Sequence, residues 1–227
     1  MLFVAMVKPV GRYRHHIPTV FHSRSRLKIG LVGGSFNPAH SGHIHVALTA
    51  RRQLGLDQIW WLVSPQNPLK SSHGMAPHEK RLADARKIAT PYPFLRVIGP
   101  ESELPSNYTY NTLKYLIKTM PLSRLVWVMG ADNLDQFAHW HRYRDMTRLL
   151  PIAVVDRPSY SFHAIATGRQ LLGRRTTVTK MRYAIVTRSV NLPSWCFIAG
   201  RLSAASASEI RQRERDQMCN DTSGVTL

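Results

Sequence analysis

His40 and His43 close the stretch Gly33-Gly34-Ser35-Phe36-Asn37-Pro38-Ala39-His40-Ser41-Gly42-His43, which places two imidazoles at the end of a glycine-rich run. Glycines let a backbone approach a ligand closely, and the unpaired N–H groups of a helix start attract phosphate. Ring donors beside such an anion site suit phosphoryl or nucleotidyl transfer, where charge builds on phosphate oxygens in the transition state. The stretch is not the G-x-G-x-x-G dinucleotide fingerprint, and it lacks the Gly-Lys-Ser/Thr of a P-loop. Two histidines can also bind a metal, but no acidic or cysteine partner lies near them, and no metal site is assigned.

Other groups with chemical potential stand at comparable places. Lys70 lies in Ser64-Pro65-Gln66-Asn67-Pro68-Leu69-Lys70, where it is either a phosphate contact or a solvated loop lysine. Asp132, in Gly130-Ala131-Asp132-Asn133, suits ribose hydroxyls or a helix cap. Trp140, beside His139 and His141, is either core or a stacking face. Ser206-Ala207-Ser208-Glu209-Ile210-Arg211 opens a helix with serines at its start and an arginine one turn in, a second anion site of the helix-start type.

These residues need strands and helices to hold them. Residues 27–32 form a short, β-branched run that reads as a buried strand. A helix starting near Ser41 carries Ile44, Ala47, Leu48 and Leu54, with Gly55 placed to stop it. Residues 58–63 (QIWWLV) supply a second strand, and a β-α-β unit implies a parallel sheet. Its loop emerges at a strand's C-terminal end, where open α/β sheets bind ligands. Residues 78–89 predict a helix with Leu82, Ala85, Ile88 and Ala89 inside, leaving Arg81, Arg86 and Lys87 on a solvated face.

Residues 94–98 predict a third strand. Residues 107–112 lead into a helix through about Lys118, with Thr109 or Asn111 as its cap. Residues 124–129 and 152–155 predict two more strands, and Phe137, Trp140 and Tyr143 recur at spacings of three between them. Between 159 and 194 the pattern is weakest. It predicts a helix at 164–172 and a strand at 183–187, before a last strand at 195–198.

At 227 residues and 44% apolar, the chain can bury one substantial core, and a single domain over residues 27–215 is expected. Residues 1–26 read as a basic, disordered extension rather than a transit peptide, and 216–227 as a polar tail. Cys196 and Cys219 lie far apart without metal spacing, which suits a reducing cytoplasm. No apolar run approaches a membrane span. The net charge of +18 fits a nucleic-acid binder or a site for polyanionic nucleotides. Basic residues are scattered rather than blocked, which favours small-molecule nucleotides. A homo-oligomer stays open.

The GGSFNPAHSGH string resembles the G-x-F-x-P-x-H-x-G-H signature of the HxGH nucleotidyltransferase superfamily. With the NPLK loop, the GADN block followed by Phe137 and Trp140, and the Ser206–Arg211 block, residues 27–213 resemble the bacterial nicotinate-nucleotide adenylyltransferases. The YTYNT segment at 108–112 fits that family's nicotinate-side loop. Two departures stand out: Leu69 replaces the histidine usual in the Pro-His-Lys loop, and residues 1–26 have no family counterpart.

The resemblance implies a Rossmann-like, doubly wound, mostly parallel α/β fold. It implies transfer of AMP from ATP to nicotinate mononucleotide, with Mg²⁺ carried on ATP. The same likeness places His43 and, secondarily, His40 on the phosphates, and Arg211 with the backbone and hydroxyl of Ser208 on the β- and γ-phosphates, with Ile210 also at the ATP site. Gly34, Ser35 and Phe36 would offer backbone N–H groups, and Gly130 and Asp132 would meet the adenosine ribose. Lys70 would hold the acceptor's phosphate, and Thr109, Tyr110 and Trp140 the nicotinate end. The rival readings are an adenylyltransferase for nicotinamide mononucleotide or another phosphate acceptor, and a basic nucleic-acid-binding protein.

Overall fold

A computed structural model describes residues 26–65, 74–99, 108–157 and 161–199. The strands are β1 (Lys28–Gly34), β2 (Gln58–Val63), β3 (Leu95–Ile98), β4 (Arg124–Gly130), β5 (Ile152–Val155), β6 (Arg174–Thr176) and β7 (Ser194–Ile198). The helices between them are α1 (Ser41–Leu54), α2 (His78–Ala89), α3 (Thr109–Thr119), α4 (Leu134–Phe137), α5 (Tyr143–Leu149), α6 (Ser161–Leu171) and α7 (Val178–Thr187). A 3₁₀ turn, Ala131–Asn133, joins β4 to α4.

The seven strands form one sheet in the order β3-β2-β1-β4-β5-β7-β6, and every neighbouring pair is parallel. A parallel sheet needs helical crossovers, so both of its faces are covered and its strands read as continuous apolar runs. Alternate residues supply the two faces. Ile29, Leu31, Trp60, Trp127, Met129 and Val154 pack on the side of α3 and α6. Val32, Ile59, Trp61, Val128, Val155 and Cys196 pack on the side of α1, α2 and α7. This is the doubly wound α/β domain expected. The order reverses between β1 and β4, which makes their C-terminal ends the switch point where such sheets bind ligands.

Several expectations need correction. Residues 183–187 are not a strand but the end of α7, which Thr177 caps by accepting the Lys180 N–H at 3.2 Å. Met181 and Ile185 are buried four residues apart while Tyr183 is 68% exposed, a helical rather than an alternating pattern. The edge strand β6 was not anticipated, because Arg174-Arg175-Thr176 carries charges instead of an apolar run. Neither Thr109 nor Asn111 caps α3; Tyr108 is its N-cap residue and makes no side-chain cap bond. Arg86 and Lys87 are exposed as expected, but Arg81 is only 1% exposed. It points inward with Ala85 and Ala89, at successive spacings of four, and its guanidinium is bonded to backbone carbonyls.

Candidate functional site

β1 runs through Gly33 and Gly34, so the glycines belong to the strand's end and the turn begins at Ser35. Gly33 is required by close approach: a Cβ there would stand 2.5 Å from Trp127 Cη2 on the adjacent β4. Phe36 then adopts a positive φ of 47°, a conformation costly for a bulky side chain and held by the packing around it. Its buried ring lies between Trp61, at a centroid distance of 4.9 Å, and His43, at 4.7 Å. Aromatic packing from β2 thus sets the position of the second imidazole.

His40 is the N-cap of α1, with extended backbone (φ −152°, ψ 172°). Its Nδ1 accepts the Gly42 N–H at 3.1 Å, and its own N–H donates to His43 Nδ1 at 3.2 Å. The two rings stand 3.9 Å apart. A backbone N–H can only donate, so both Nδ1 atoms are acceptors and each neutral ring carries its proton on Nε2. The reciprocal pair is a capping box built from histidines. It orients His43 at the start of α1, where the helix dipole adds positive potential for an anion.

Neighbouring loops are tied to this turn. Asn37 Nδ2 donates to Gly74 O at 3.1 Å, and Asn37 Oδ1 accepts the Ala76 N–H at the same distance. The Ser64 N–H donates to Gly34 O at 2.9 Å, which joins the exits of β1 and β2. Across the switch point, β4 ends at Gly130 and the 3₁₀ turn begins. Asp132 makes no cap bond there; its Oδ1 lies 3.4 Å from Nε of Arg157, a buried arginine just past β5. On α1, burial first and the Arg157 charge second hold the His45 imidazole below its ordinary value.

The segment read as the nicotinate side gathers around the start of α3. Tyr108 stacks on His141 with centroids 4.5 Å apart, and the Arg142 guanidinium lies 4.3 Å over the ring of buried Tyr110. Half-buried Trp140 meets Trp127 and Phe137 edge-on or tilted at 5.8 and 5.5 Å, so it is partly core. Thr109 is the first residue of α3.

Of the sequence-predicted residues, His40, His43, Gly34, Ser35 and Phe36 lie together at the β1–α1 junction. Gly130 and Asp132 follow the adjacent strand, and Thr109, Tyr110 and Trp140 form a third group. Lys70, Leu69, Ser208, Ile210 and Arg211 lie outside the described residues. Sequence reasoning missed Arg157, Asn37 and Arg81. The spacing of Arg81 with Ala85 and Ala89 was the available signal for the last. Among the described residues, no group of three or more His, Cys, Asp or Glu side chains could hold a metal ion. No helix among them is long and apolar enough to cross a membrane.

A model of the cytidylyltransferase-like family matches residues 31–213. A probable nicotinate-nucleotide adenylyltransferase of Parvibaculum lavamentivorans is 46% identical over 187 residues, covering 82% of this chain and 92% of that one. Another, of Methylorubrum extorquens, is 43% identical over 188 residues, covering 82% of this chain and all of the relative (100%). Among solved structures, Plasmodium falciparum nicotinic acid mononucleotide adenylyltransferase complexed with NaAD aligns with a TM-score of 0.60. That alignment covers 82% of this chain and 83% of that one, and at 16% identity it speaks for the fold.

Proposed function

We infer the reaction from a plain premise: this chain belongs to the cytidylyltransferase-like family. It is an adenylyltransferase of NAD biosynthesis that transfers AMP from ATP to nicotinate mononucleotide, yielding deamido-NAD and pyrophosphate. A phosphate oxygen of the mononucleotide attacks the α-phosphorus of ATP, and the bond from that phosphorus to the bridging oxygen breaks as pyrophosphate leaves. The attacking phosphate loses its second proton near pH 6, so at neutral pH the step needs no proton transfer. Positioning and charge stabilisation must then supply the rate.

The observation that carries the catalytic assignment is the histidine capping box. His43 would direct its Nε2–H at an oxygen of the transferring phosphate, because the His40 N–H occupies Nδ1. His40 would act mainly by holding that tautomer and opening α1. Backbone N–H groups from Gly34 to Phe36 would line the phosphates. Arg211, Ser208 and Ile210 would close on the pyrophosphate side, and Lys70 would hold the acceptor's phosphate. Gly130 and Asp132 would receive the adenosine ribose. Mg²⁺ would arrive on ATP, neutralising charge on its phosphate oxygens. Mg²⁺ keeps several waters and is commonly held through substrate phosphates rather than by a dedicated protein cage.

The acid rather than the amide mononucleotide is favoured by α3. Its start packs against the 139–142 loop through Tyr108 on His141 and Arg142 over Tyr110, and there Thr109, Tyr110, Trp140 and the Arg142 charge would meet the nicotinate end. A site built to bond a carboxylate rejects the amide by leaving its own donors unpaired. Pyrophosphate release from ATP, measured with nicotinate and nicotinamide mononucleotides, tests this. A higher kcat/KM for the acid is expected, shrinking when Trp140 or Thr109 is changed. Equal values would overturn the acid preference.

A further inference from the structure

Arg81 is buried at the first turn of α2, yet its side chain reaches three separate stretches of chain. Nε donates to Ala76 O at 2.9 Å, in the segment entering its own helix. Nη1 donates to Ser64 O at 2.9 Å and also to Ser35 O, while Nη2 donates to Pro65 O. Ser35 opens the turn between β1 and the histidine cap, and Ser64 and Pro65 open the loop after β2. A guanidinium offers five donors in a rigid planar fork, a geometry an ammonium cannot copy. Because the Arg81 side chain is sealed from solvent, each N–H left without a carbonyl would cost desolvation free energy.

We propose that Arg81 is a positioning residue that locks the ATP-side turn after β1 to the acceptor-side loop after β2. The inference rests on the adenylyl transfer proposed above, in which those two loops hold the two reactants. Direct attack of one bound phosphate on another depends on near-attack geometry, and a misplacement of about 1 Å can cost about 10²-fold in rate. Asn37 also ties the β1 turn to residues 74–76, and the Ser64–Gly34 bond also joins the two strand exits. The contribution particular to Arg81 is to hold all three stretches from one planar group. Its loss should appear in kcat more than in the binding of either substrate.

The test compares the unaltered protein with Arg81→Lys and Arg81→Gln. It measures Tm, the separate Kd values for a non-hydrolysable ATP analogue and for nicotinate mononucleotide, and kcat per folded molecule. The expected result is Kd values within about threefold of the unaltered protein and kcat lowered by about 10²-fold. Unchanged kcat per folded molecule, with only Tm lowered, would show a purely structural arginine and overturn the proposal. Hydrogen exchange on Asn37→Ala, which lacks the side-chain bonds to Gly74 and Ala76, covers Arg81 variants that fail to fold. The ATP analogue alone should still slow exchange at residues 74–76 as well as at 35–37. Protection confined to 35–37 would overturn the coupling. If the unaltered chain makes no pyrophosphate from ATP and nicotinate mononucleotide, the substrate assignment falls, and the exchange result still judges Arg81.

Discussion

At the scale of single residues, His43 concentrates several constraints. Its ring packs on Phe36, its Nδ1 receives the His40 N–H, and its place at the start of α1 supplies positive potential. Removing one preorganised donor to a developing oxyanion costs about 10²–10³ in rate. His43→Ala is therefore expected to lower kcat by about that factor. Its effect on Tm should be a few degrees, since one cap contact contributes about 1 kcal/mol. Steady-state kinetics beside a thermal melt would decide it; near-normal kcat with a large drop in Tm would make the ring structural. Cys196 illustrates a residue with no such role: burial pushes its thiol up to about 12, which removes the reactive thiolate at neutral pH.

At the scale of elements, helix ends carry the most information. α1 begins on a histidine cap and ends at Gly55, whose left-handed φ of 65° lets its N–H reach Arg51 O. The C-terminal signal was legible because glycine alone adopts that conformation readily. The N-terminal cap was less so, because histidine is an unusual capping residue and its role depends on its ring's orientation. α7 shows the converse. Thr177 caps it, although the β-branched Ile185, Val186 and Thr187 at its end favour a strand by composition. Because Thr177 is exposed, Thr177→Ala removes little besides the cap bond. It should cost about 1 kcal/mol and lower Tm by about 2–4 °C with kcat unchanged. An unaltered melting curve would mean that packing of Met181 and Ile185 sets the start of α7.

At the scale of the whole molecule, the sheet brings distant stretches to one edge. Gly34, Val63 and Gly130 end neighbouring strands, although nearly a hundred residues separate the first from the last. β1 has β2 on one side and β4 on the other, so no edge of it awaits a strand from residues 1–25. Deleting those residues should leave kcat unchanged and Tm within about 2–4 °C, the shift expected for a loss of about 1 kcal/mol. A larger fall, seen by differential scanning calorimetry, would mean the extension packs on the domain. Its removal would also reduce the net charge of +18.

By itself the sequence determined the strand–turn–helix around His40 and His43, the parallel sheet and the family resemblance. Each rests on local signals: apolar runs of strand length, glycine at a helix end, and a motif in which spacing and residue type coincide. Tertiary structure decided the rest, because those features depend on which distant groups meet. Arg81 reads as surface until the carbonyls of Ser35 and Ser64 converge on it. Asp132 reads as a ribose contact or a cap until Arg157, just past the next strand, approaches its carboxylate. Trp140 reads as either core or a stacking face until Trp127 and Phe137 cover part of it. The physical reason is common to all three. A local pattern reports the propensity of a backbone, whereas the partner of a polar or aromatic side chain is chosen by chain topology and burial.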